Sequence, residues 1–331
     1  MSITATNYDP ADVPAWEALR ETFRRKAVGG SEMGSVAGLP GAFSSPYATY
    51  CDILGLTPKK PKTSWYLHDG RDLEELVVRR FEQASGFNTR HRYAILQNSE
   101  YPHLFANVDR FVDSEDAGFE AKTYDVRSTK FDNGNVPAPY IAQVTVYLAV
   151  TQKKRWYLSA WAYGAGTKHF FFTTDPTDTK PDWCDAMCVI PTSEFKRCEE
   201  IAADFVMRLS SNVPPPVIGS DADEEAVRAV NPVETAGKSC DLGAVDGDLD
   251  RIAELDEKIE ALEQEKEAHR QAVMQFLGDA EKGESQRWKA TFKTTVAKRL
   301  DSKAAKAALG DALDPFYIES SSRTLRLRKV G

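Results

Sequence analysis

Two carboxylates and a lysine stand close together in the segment FANVDRFVDSEDAGFEAKTYD, residues 105–125. Asp109 follows an apolar run, whereas Glu120 and Lys122 follow an acidic stretch that is typical of a turn. If GFEAKT is a strand, its side chains alternate, so Glu120 and Lys122 lie on the same face. If DSEDAG is the turn of a hairpin, Asp109 on the preceding strand converges with Glu120.

Converging carboxylates repel each other unless a cation lies between them. Oxygen ligands of this kind suit Mg²⁺ or Mn²⁺, and a lysine beside the metal could orient or help deprotonate a water that attacks a phosphodiester. The alternative is a solvated strand on which acid and lysine form cross-strand pairs that contribute little to stability. The motif is common, so it does not by itself establish a nuclease.

The elements that must position these residues follow from the spacing of apolar side chains. Helices are predicted at 11–28, 31–39, 47–54, 70–85, 139–151 and 193–209, with Ser31 as the cap of the second. Strands are predicted near 92–97, 104–113, 117–124, 155–163, 169–174 and 187–191. This pattern predicts a mixed α/β domain over residues 1–211.

The chain changes character after this domain. Residues 212–247 are rich in proline, glycine and acids, which predicts a linker. Residues 248–331 are predicted to form a heptad helix followed by a small basic α+β domain. The heptad positions are Ile252, Leu255, Ile259, Leu262, Lys266, His269, Val273 and Phe276. A coiled coil, an antiparallel helical pair and a trimeric contact are all compatible with this pattern.

Four segments in order carry a family resemblance: GGSEMGSVAGL, LEELVVRRFEQASG, FANVDRF followed by GFEAKT, and PYIAQVTVYLAVTQKKRWYL. Together they resemble the lambda-exonuclease and YqaJ-type viral recombinase family within the PD-(D/E)xK nuclease fold, over roughly residues 16–210. The resemblance implies an α/β restriction-endonuclease-like core with a mixed central sheet flanked by helices. The heptad segment and a small α+β tail would follow it.

The resemblance implies a role for each residue of the opening motif. Asp109 and Glu120 would be metal ligands, and the backbone carbonyl of Ala121 would complete the site. Lys122 would be the catalytic lysine. Glu74, in the helix before the core, matches the glutamate that reaches a metal in the family.

In two of the predicted helices, a residue could have either a catalytic or a structural role. Glu75 is adjacent to Glu74 but would point about 100° away around the helix, where a solvated charge is the simpler interpretation. Gln143 matches the helix glutamine that follows the metal acids, and Tyr140, one turn earlier, is an expected DNA contact. Ordinary hydrogen bonding in the core is the alternative for Gln143.

The glycine-rich N-terminal segment has two interpretations. Arg24 and Ser31 match positions at which the family binds a terminal 5′ phosphate, and a helix N-terminus beside Gly29 and Gly30 is suited to an anion. The commoner meaning of such a segment is a glycine turn with a serine cap.

The C-terminal region offers a second candidate DNA contact. Between residues 287 and 306, basic residues greatly outnumber acids, and Trp288 and Phe292 are interleaved with them. Basic groups could follow phosphates while aromatic rings stack on bases. The proposed contacts are Lys289, Lys293, Lys298 and Arg299. The alternative is a solvated strand face over a small core.

The composition of the chain argues against several classes of protein. The net charge of −8 argues against a general polyanion binder, although a local basic groove remains compatible with it. The five cysteines are scattered and do not form a disulfide framework, which suggests a reducing cytoplasm. No apolar run approaches the roughly 20 residues that span a bilayer, and the N-terminus has no secretory signal pattern.

The expected function is a Mg²⁺-dependent exonuclease, with Mn²⁺ able to substitute. By the resemblance, it would digest one strand of double-stranded DNA from a 5′ end and leave a 3′ single strand for an annealing protein in phage recombination. The resemblance also implies a homo-oligomer, with a trimeric ring as the form known in the family. The alternatives are a structure-specific or restriction-like endonuclease, and a DNA-end-binding scaffold without catalysis.

Overall fold

The computed structural model describes residues 2–59, 65–298 and 302–310, together with 312 and 316. The chain forms two compact units, Met1–Pro232 and Val233–Gly331. The first unit contains strands β1 Ile3–Asn7, β2 Val28–Gly29, β3 Thr89–His91, β4 Ala94–Asn98, β5 Tyr101–Ala106, β6 Arg110–Val112, β7 Ala117–Thr123, β8 Arg155–Ala162, β9 Gly166–Thr173 and β10 Ala186–Val189. Its helices are α1 Val13–Arg24, α2 Gly30–Val36, α3 Pro46–Leu54, α4 Trp65–Ser85, α5 Ala138–Thr151, α6 Ser193–Ser211 and α7 Asp221–Val230.

Two sheets organise the first unit. The larger has the strand order β10-β9-β8-β7-β6-β3 and is mixed, because β7 pairs in parallel with β8 whereas β6 pairs antiparallel with β7. The smaller has the order β1-β4-β5-β2. Helix α5 contacts both sheets, and α4 contacts β7, β8 and β9. The predicted α/β class, with a mixed sheet flanked by helices, is confirmed.

Alternation along the strands of the larger sheet builds two cores. Trp156 and Leu158 on β8 belong to the cluster that includes residues of α5, whereas Tyr157 between them belongs to the cluster of α4. Phe119 on β7 packs with Phe81 of α4, at a ring distance of 4.4 Å. Because Phe119 faces α4, the next residue of β7 faces the α5 side.

The predicted strand over 104–113 is in fact two strands. Strand β5 ends at Ala106 and lies in the smaller sheet, whereas β6 begins at Arg110 and lies in the larger sheet. The chain therefore crosses between sheets at residues 107–109, where the carbonyl of Asn107 accepts a hydrogen bond from the Tyr147 hydroxyl at 3.0 Å. Asp109 lies at this crossing and not within a strand.

The glycine-rich segment at the start of α2 serves helix packing. A Cβ atom on Gly30 would lie 2.6 Å from the Tyr147 ring, and one on Gly34 would lie 2.6 Å from Pro139. Both contacts are with α5, so the two glycines let the helices approach closely. Gly29 occupies the N-cap position of α2, and no side chain caps the helix. The prediction that Ser31 caps this helix is wrong.

Helix α7 lies within the segment whose composition predicted a linker. It contacts α3, and the buried Asp223 anchors it. Asp223 accepts hydrogen bonds from the Ser45 hydroxyl at 2.5 Å and from the backbone amide of Ile218 at 2.8 Å. Ser220 caps α7 and forms a capping box with Asp223, so the acids at the start of this helix belong to its first turn, and residues 221–230 are packed structure.

The second unit contains α8 Asp246–Leu277, strands β11 Lys282–Glu284 and β12 Lys289–Thr291, and α9 Ser302–Leu309. Strands β11 and β12 pair antiparallel. No residue of α8 is buried. The predicted heptad helix is thus present. Across the described ranges, no helix has both the length and the apolar character needed to cross a membrane.

Candidate active site

The β6–β7 hairpin brings three of the predicted site residues together. Cross-strand pairing sets Arg110 opposite Phe119, which places Asp109 beside Glu120. The backbone amide of Ala121 donates to Oδ2 of Asp109 at 3.0 Å. The Lys122 ammonium donates to Oε1 of Glu120 at 2.5 Å. The arrangement predicted for Asp109, Glu120 and Lys122 is therefore present in the fold.

Gln143 holds the Glu120 carboxylate from α5. Its side-chain amide donates to Oε1 of Glu120 at 2.6 Å and lies 2.8 Å from the Tyr147 hydroxyl. Tyr147 in turn donates to the Asn107 carbonyl at 3.0 Å. Glu120 is thus fixed by two donors at one oxygen. Gln143 therefore contacts the Glu120 carboxylate, and the catalytic role that the resemblance implied for it stays a prediction.

The other oxygen of Glu120 has no partner. Oε2 is buried and receives no hydrogen bond from any donor, although a protonated Glu120 can share a hydrogen bond with the Asp109 carboxylate. Burial, together with the nearby charge of Asp109, raises the pKa of Glu120 to about 8. An uncompensated buried acceptor beside a second carboxylate is unfavourable unless a proton or a cation occupies the space. The lack of a donor at this oxygen is the observation that makes these residues suitable ligands for a divalent cation.

Glu74 contributes a third carboxylate from α4. Burial and the charge of Asp109 raise the pKa of Glu74 to about 7, which shows that the two groups interact. Glu75 points elsewhere: its side chain is 58% exposed, pairs with Arg110 and lies 3.3 Å from Nε2 of His91. The outward position of Glu75 and the effect of Asp109 on the pKa of Glu74 thus favour Glu74 as the residue that faces the acids of the hairpin.

The carboxylates alone do not enclose a metal. In the part of the chain that the structure describes, no group of three or more histidine, cysteine, aspartate or glutamate side chains is close enough to form a metal site. The candidate ligands are the carboxylates of Asp109 and Glu120, the Ala121 carbonyl and the more distant Glu74. A metal ion held by them would keep several coordination positions for water or phosphate oxygens. Mg²⁺ retains waters in sites of this kind, so the donor set suits that ion.

Tyr140 positions the lysine. The Lys122 ammonium lies 5.2 Å from the centre of the Tyr140 ring, which itself stacks on Phe131 at 5.8 Å. Burial lowers the pKa of Lys122, but the charges of Glu120 and Asp109 outweigh it, and the net effect raises the pKa. Lys122 is therefore a protonated, oriented donor at neutral pH. Tyr140 was expected as a DNA contact, and that role stays a prediction.

Arg24 is engaged by acids. Its guanidinium is buried and pairs with three carboxylates: Glu32 at 2.7 Å, Glu21 at 2.9 Å and Asp52 at 2.7 Å. Arg24 and the exposed Ser31 both line a cavity of about 1100 Å³. A phosphate at Arg24 would have to displace carboxylates, so the predicted 5′-phosphate contact stays a prediction that needs side-chain rearrangement.

The predicted C-terminal contacts belong to the second unit. Lys289, Lys293 and Lys298 are exposed, and Lys289 pairs with Glu284 at 2.8 Å. Arg299 lies outside the described residues. A DNA-binding role for these residues stays a prediction.

Sequence reasoning missed three residues around the site. Tyr147 supports Gln143, and its position one helical turn after Gln143 was a usable signal. Asn107 receives the Tyr147 hydroxyl at its carbonyl and the Tyr8 hydroxyl at its side chain, at 3.0 Å and 3.1 Å. Tyr8 follows β1, about a hundred residues earlier in the chain, and no local pattern places it here.

Comparisons with known proteins relate part of the chain to a described family. Residues 16–154 match the family model described as the YqaJ-like viral recombinase domain. This range includes Asp109, Glu120 and Gln143. The chain is also 27% identical over 312 residues to the uncharacterized protein YqaJ of Bacillus subtilis (strain 168), covering 93% of each chain.

Solved structures that superpose on part of this chain include exonucleases. An alkaline exonuclease, LHK-Exo, from Laribacter hongkongensis superposes with a TM-score of 0.46 at 15% identity, covering 61% of this chain and 94% of that one. A phage related exonuclease from Haemophilus somnus 129PT gives a TM-score of 0.38 at 12% identity, covering 56% of this chain and 94% of that one.

Proposed function

We propose that this chain, whose residues 16–154 carry a YqaJ-like viral recombinase domain, is a metal-dependent DNA exonuclease. The observation that carries the proposal is the buried, unpartnered Oε2 of Glu120 next to Asp109. A structural ion pair would satisfy this oxygen, whereas a catalytic ligand leaves it available. Lys122 donates to the other oxygen of the same carboxylate, from where it could orient a water for attack on a phosphodiester.

The residues that would hold the metal are Asp109, Glu120, Glu74 and the Ala121 carbonyl. Mg²⁺ is the proposed ion, with Mn²⁺ able to substitute. When bound, the metal would act as a Lewis acid that lowers the pKa of water and stabilises charge on the leaving 3′ oxygen.

The side chains around the metal ligands would do the positioning. Lys122, protonated at neutral pH, would donate to the attacking water or to a phosphate oxygen. Gln143 keeps the Glu120 carboxylate in one orientation, since its amide already bonds Tyr147 and Glu120. Because these groups are ordered before substrate binds, little reorganisation is needed during the reaction.

The proposed substrate is the end of a linear duplex. Digestion of one strand in the 5′-to-3′ direction would leave a 3′ overhang for a single-strand annealing protein, as the family resemblance implies. Arg24 and Ser31 would bind the terminal phosphate once Glu21, Glu32 or Asp52 has moved away from the guanidinium. A homo-oligomer, such as a trimeric ring, would keep the enzyme on its strand.

Strand-specific labels test the polarity and the need for an end. Linear duplex labelled at the 5′ or the 3′ end of one strand is incubated with the protein and Mg²⁺, beside a covalently closed circle of the same sequence. The proposal predicts rapid release of the 5′ label as mononucleotide and an intact circle. Cleavage of the circle would favour an endonuclease, and DNA-end binding without any hydrolysis would favour the scaffold alternative.

A further inference from the structure

Phe43 is an aromatic side chain that lies largely in solvent, on the loop between α2 and α3. It is 79% exposed, although phenylalanine is among the residues most often found inside a folded protein. Two residues later, Ser45 caps α3 and donates to the buried Asp223 at 2.5 Å, so the loop is fixed close to the ring. A fixed backbone therefore holds this ring at the surface.

Phe43 forms the outer end of a row of aromatic rings that leads to the candidate active site. Its ring centre lies 6.5 Å from that of Tyr140, which stacks on Phe131 at 5.8 Å. Phe131 is buried, so the row runs from the core to the surface. The Lys122 ammonium lies 5.2 Å from the centre of the middle ring, Tyr140. One ring therefore separates Phe43 from the candidate catalytic lysine.

Phe43 also lines the cavity that Arg24 and Ser31 line. In the proposed function, these two residues bind the 5′ phosphate of a strand end, and Lys122 acts at the phosphodiester that is cut. The terminal nucleotide joins these two phosphates, because it carries one on its 5′ side and the other on its 3′ side. Phe43 borders both positions, so it lies beside the terminal nucleotide.

The chemistry of the Phe43 ring suits a base and not a phosphate. A phenyl ring has neither a charge nor a hydrogen-bond donor, whereas its face can stack on another ring. Stacking of aromatic side chains on unpaired bases contributes strongly to the affinity of proteins for single strands and tolerates every sequence. A base stacked on Phe43 would lengthen the row by one ring.

We infer that Phe43 stacks on the base of the terminal nucleotide of the digested strand and thereby positions its 3′ phosphodiester next to Lys122. This inference rests on the proposed function, because it requires a DNA end in the site. It makes Phe43 a substrate-binding residue that accepts all four bases, since each base has a face on which a ring can stack.

A comparison of three proteins on two substrates tests the stacking contact. The wild type, Phe43→Leu and Phe43→Trp are each incubated with Mg²⁺ and a linear duplex whose 5′ phosphate is labelled. The labelled strand begins with either an adenine nucleotide or an abasic nucleotide, which retains the phosphate and the sugar but lacks the base. Single-turnover release of the label gives the half-saturating protein concentration and the maximal rate for each combination.

The two variants separate the ring from its apolar volume. On the adenine end, we expect Phe43→Leu to raise the half-saturating protein concentration on the order of fivefold or more, and Phe43→Trp to leave it unchanged or lower it. On the abasic end, Phe43→Leu should behave like the wild type, because the base that the ring contacts is already absent. The abasic end thus also shows that the variant is folded and active.

Failure of this inference and failure of the proposed function give different results. An unchanged half-saturating concentration for Phe43→Leu on the adenine end would overturn the role of Phe43. An equal loss on both ends would overturn it too, because it would mean that Phe43 acts by packing against Tyr140. The inference also fails if Phe43→Trp is as impaired as Phe43→Leu. These three results leave the nuclease assignment standing, whereas no release by the wild type contradicts the proposed function and the stacking contact with it.

Discussion

At the scale of one residue, the buried carboxylate of Glu120 both destabilises the metal-free protein and provides a ligand for a metal. One carboxylate oxygen receives the Lys122 ammonium and the Gln143 amide, while the other is buried without a partner. Burial and Asp109 raise its pKa to about 8, so the metal-free protein holds a proton there near neutral pH. A divalent cation would replace that proton, which couples metal binding to pH.

The free energy of unfolding of the metal-free protein should therefore depend on pH. The pKa of Glu120 is raised from 4.5 to about 8 in the folded state, so the folded protein binds more protons than the unfolded chain between these values. Stability is then highest below about pH 4.5 as far as this group is concerned, and falls as pH rises through 8. Urea unfolding in EDTA at several pH values measures this.

The neutral isostere Glu120→Gln supplies the control for this pH dependence. It removes the titrating group, so its unfolding free energy should change less between pH 5 and pH 8 than that of the wild type. It should also be more stable than the wild type near pH 8, by on the order of 1 kcal/mol, while Mg²⁺ no longer stabilises it. Parallel pH curves for the two proteins would contradict the assignment.

Glu74 and Glu75 are adjacent, and their substitution should have different consequences. Glu74→Gln removes an acid that interacts with Asp109, and we expect a loss of activity of at least about tenfold with a higher Mg²⁺ requirement. Glu75→Gln weakens a half-exposed ion pair with Arg110, whose contribution is at most about 1 kcal/mol. Mg²⁺ titrations of nucleotide release distinguish them. A stronger effect at Glu75 would reverse the assignment.

At the scale of the elements, the close approach of α2 to α5 supports the site indirectly. Gly30 lies against Tyr147, which holds Gln143. Gly30→Ala would place a methyl group 2.6 Å from the Tyr147 ring and 3.1 Å from the Gln143 carbonyl. We expect a loss of about 1–3 kcal/mol in unfolding free energy and reduced activity.

Gly247→Ala is the matched control, because nothing lies within 4 Å of its added Cβ and it sits in the first turn of α8. It should be neutral or slightly stabilising. Urea denaturation with nucleotide release as a second readout compares the two variants. Equal stability of Gly30→Ala and the wild type would mean that α2 can move away from α5 without loss.

The sequence predicted those elements whose signals are local. Alternation in GFEAKT gave the shared face of Glu120 and Lys122, and helical spacing gave α4 and α5. The crossing between sheets at residues 107–109 was missed because apolar residues continue on both sides of Asn107, Asp109 and Arg110, as they would in one strand. Helix α7 was missed because Asp223, the residue that anchors it, is satisfied by Ser45 from far along the chain. A hydrogen-bond partner that lies far away in the chain leaves no periodic pattern in the sequence.

At the scale of the whole molecule, the two units have separate roles in this account. The first unit contains the candidate active site, and the second contains the helix α8, none of whose residues is buried. In the homo-oligomer of the proposed function, a second active site would lie at high effective concentration near any DNA bound by the first.

The central claim is that Asp109 and Glu120 hold a divalent cation for DNA hydrolysis. The most direct measurement is the initial rate of Mg²⁺-dependent nucleotide release from 5′-phosphorylated linear duplex by the wild type, Asp109→Asn and Asp113→Asn. Asp113 is the matched control, because it lies in the same hairpin but is 41% exposed and pairs with Arg90. We predict that Asp109→Asn loses at least about a hundredfold in rate, whereas Asp113→Asn stays within about twofold. Equal rates for the wild type and Asp109→Asn would contradict the account.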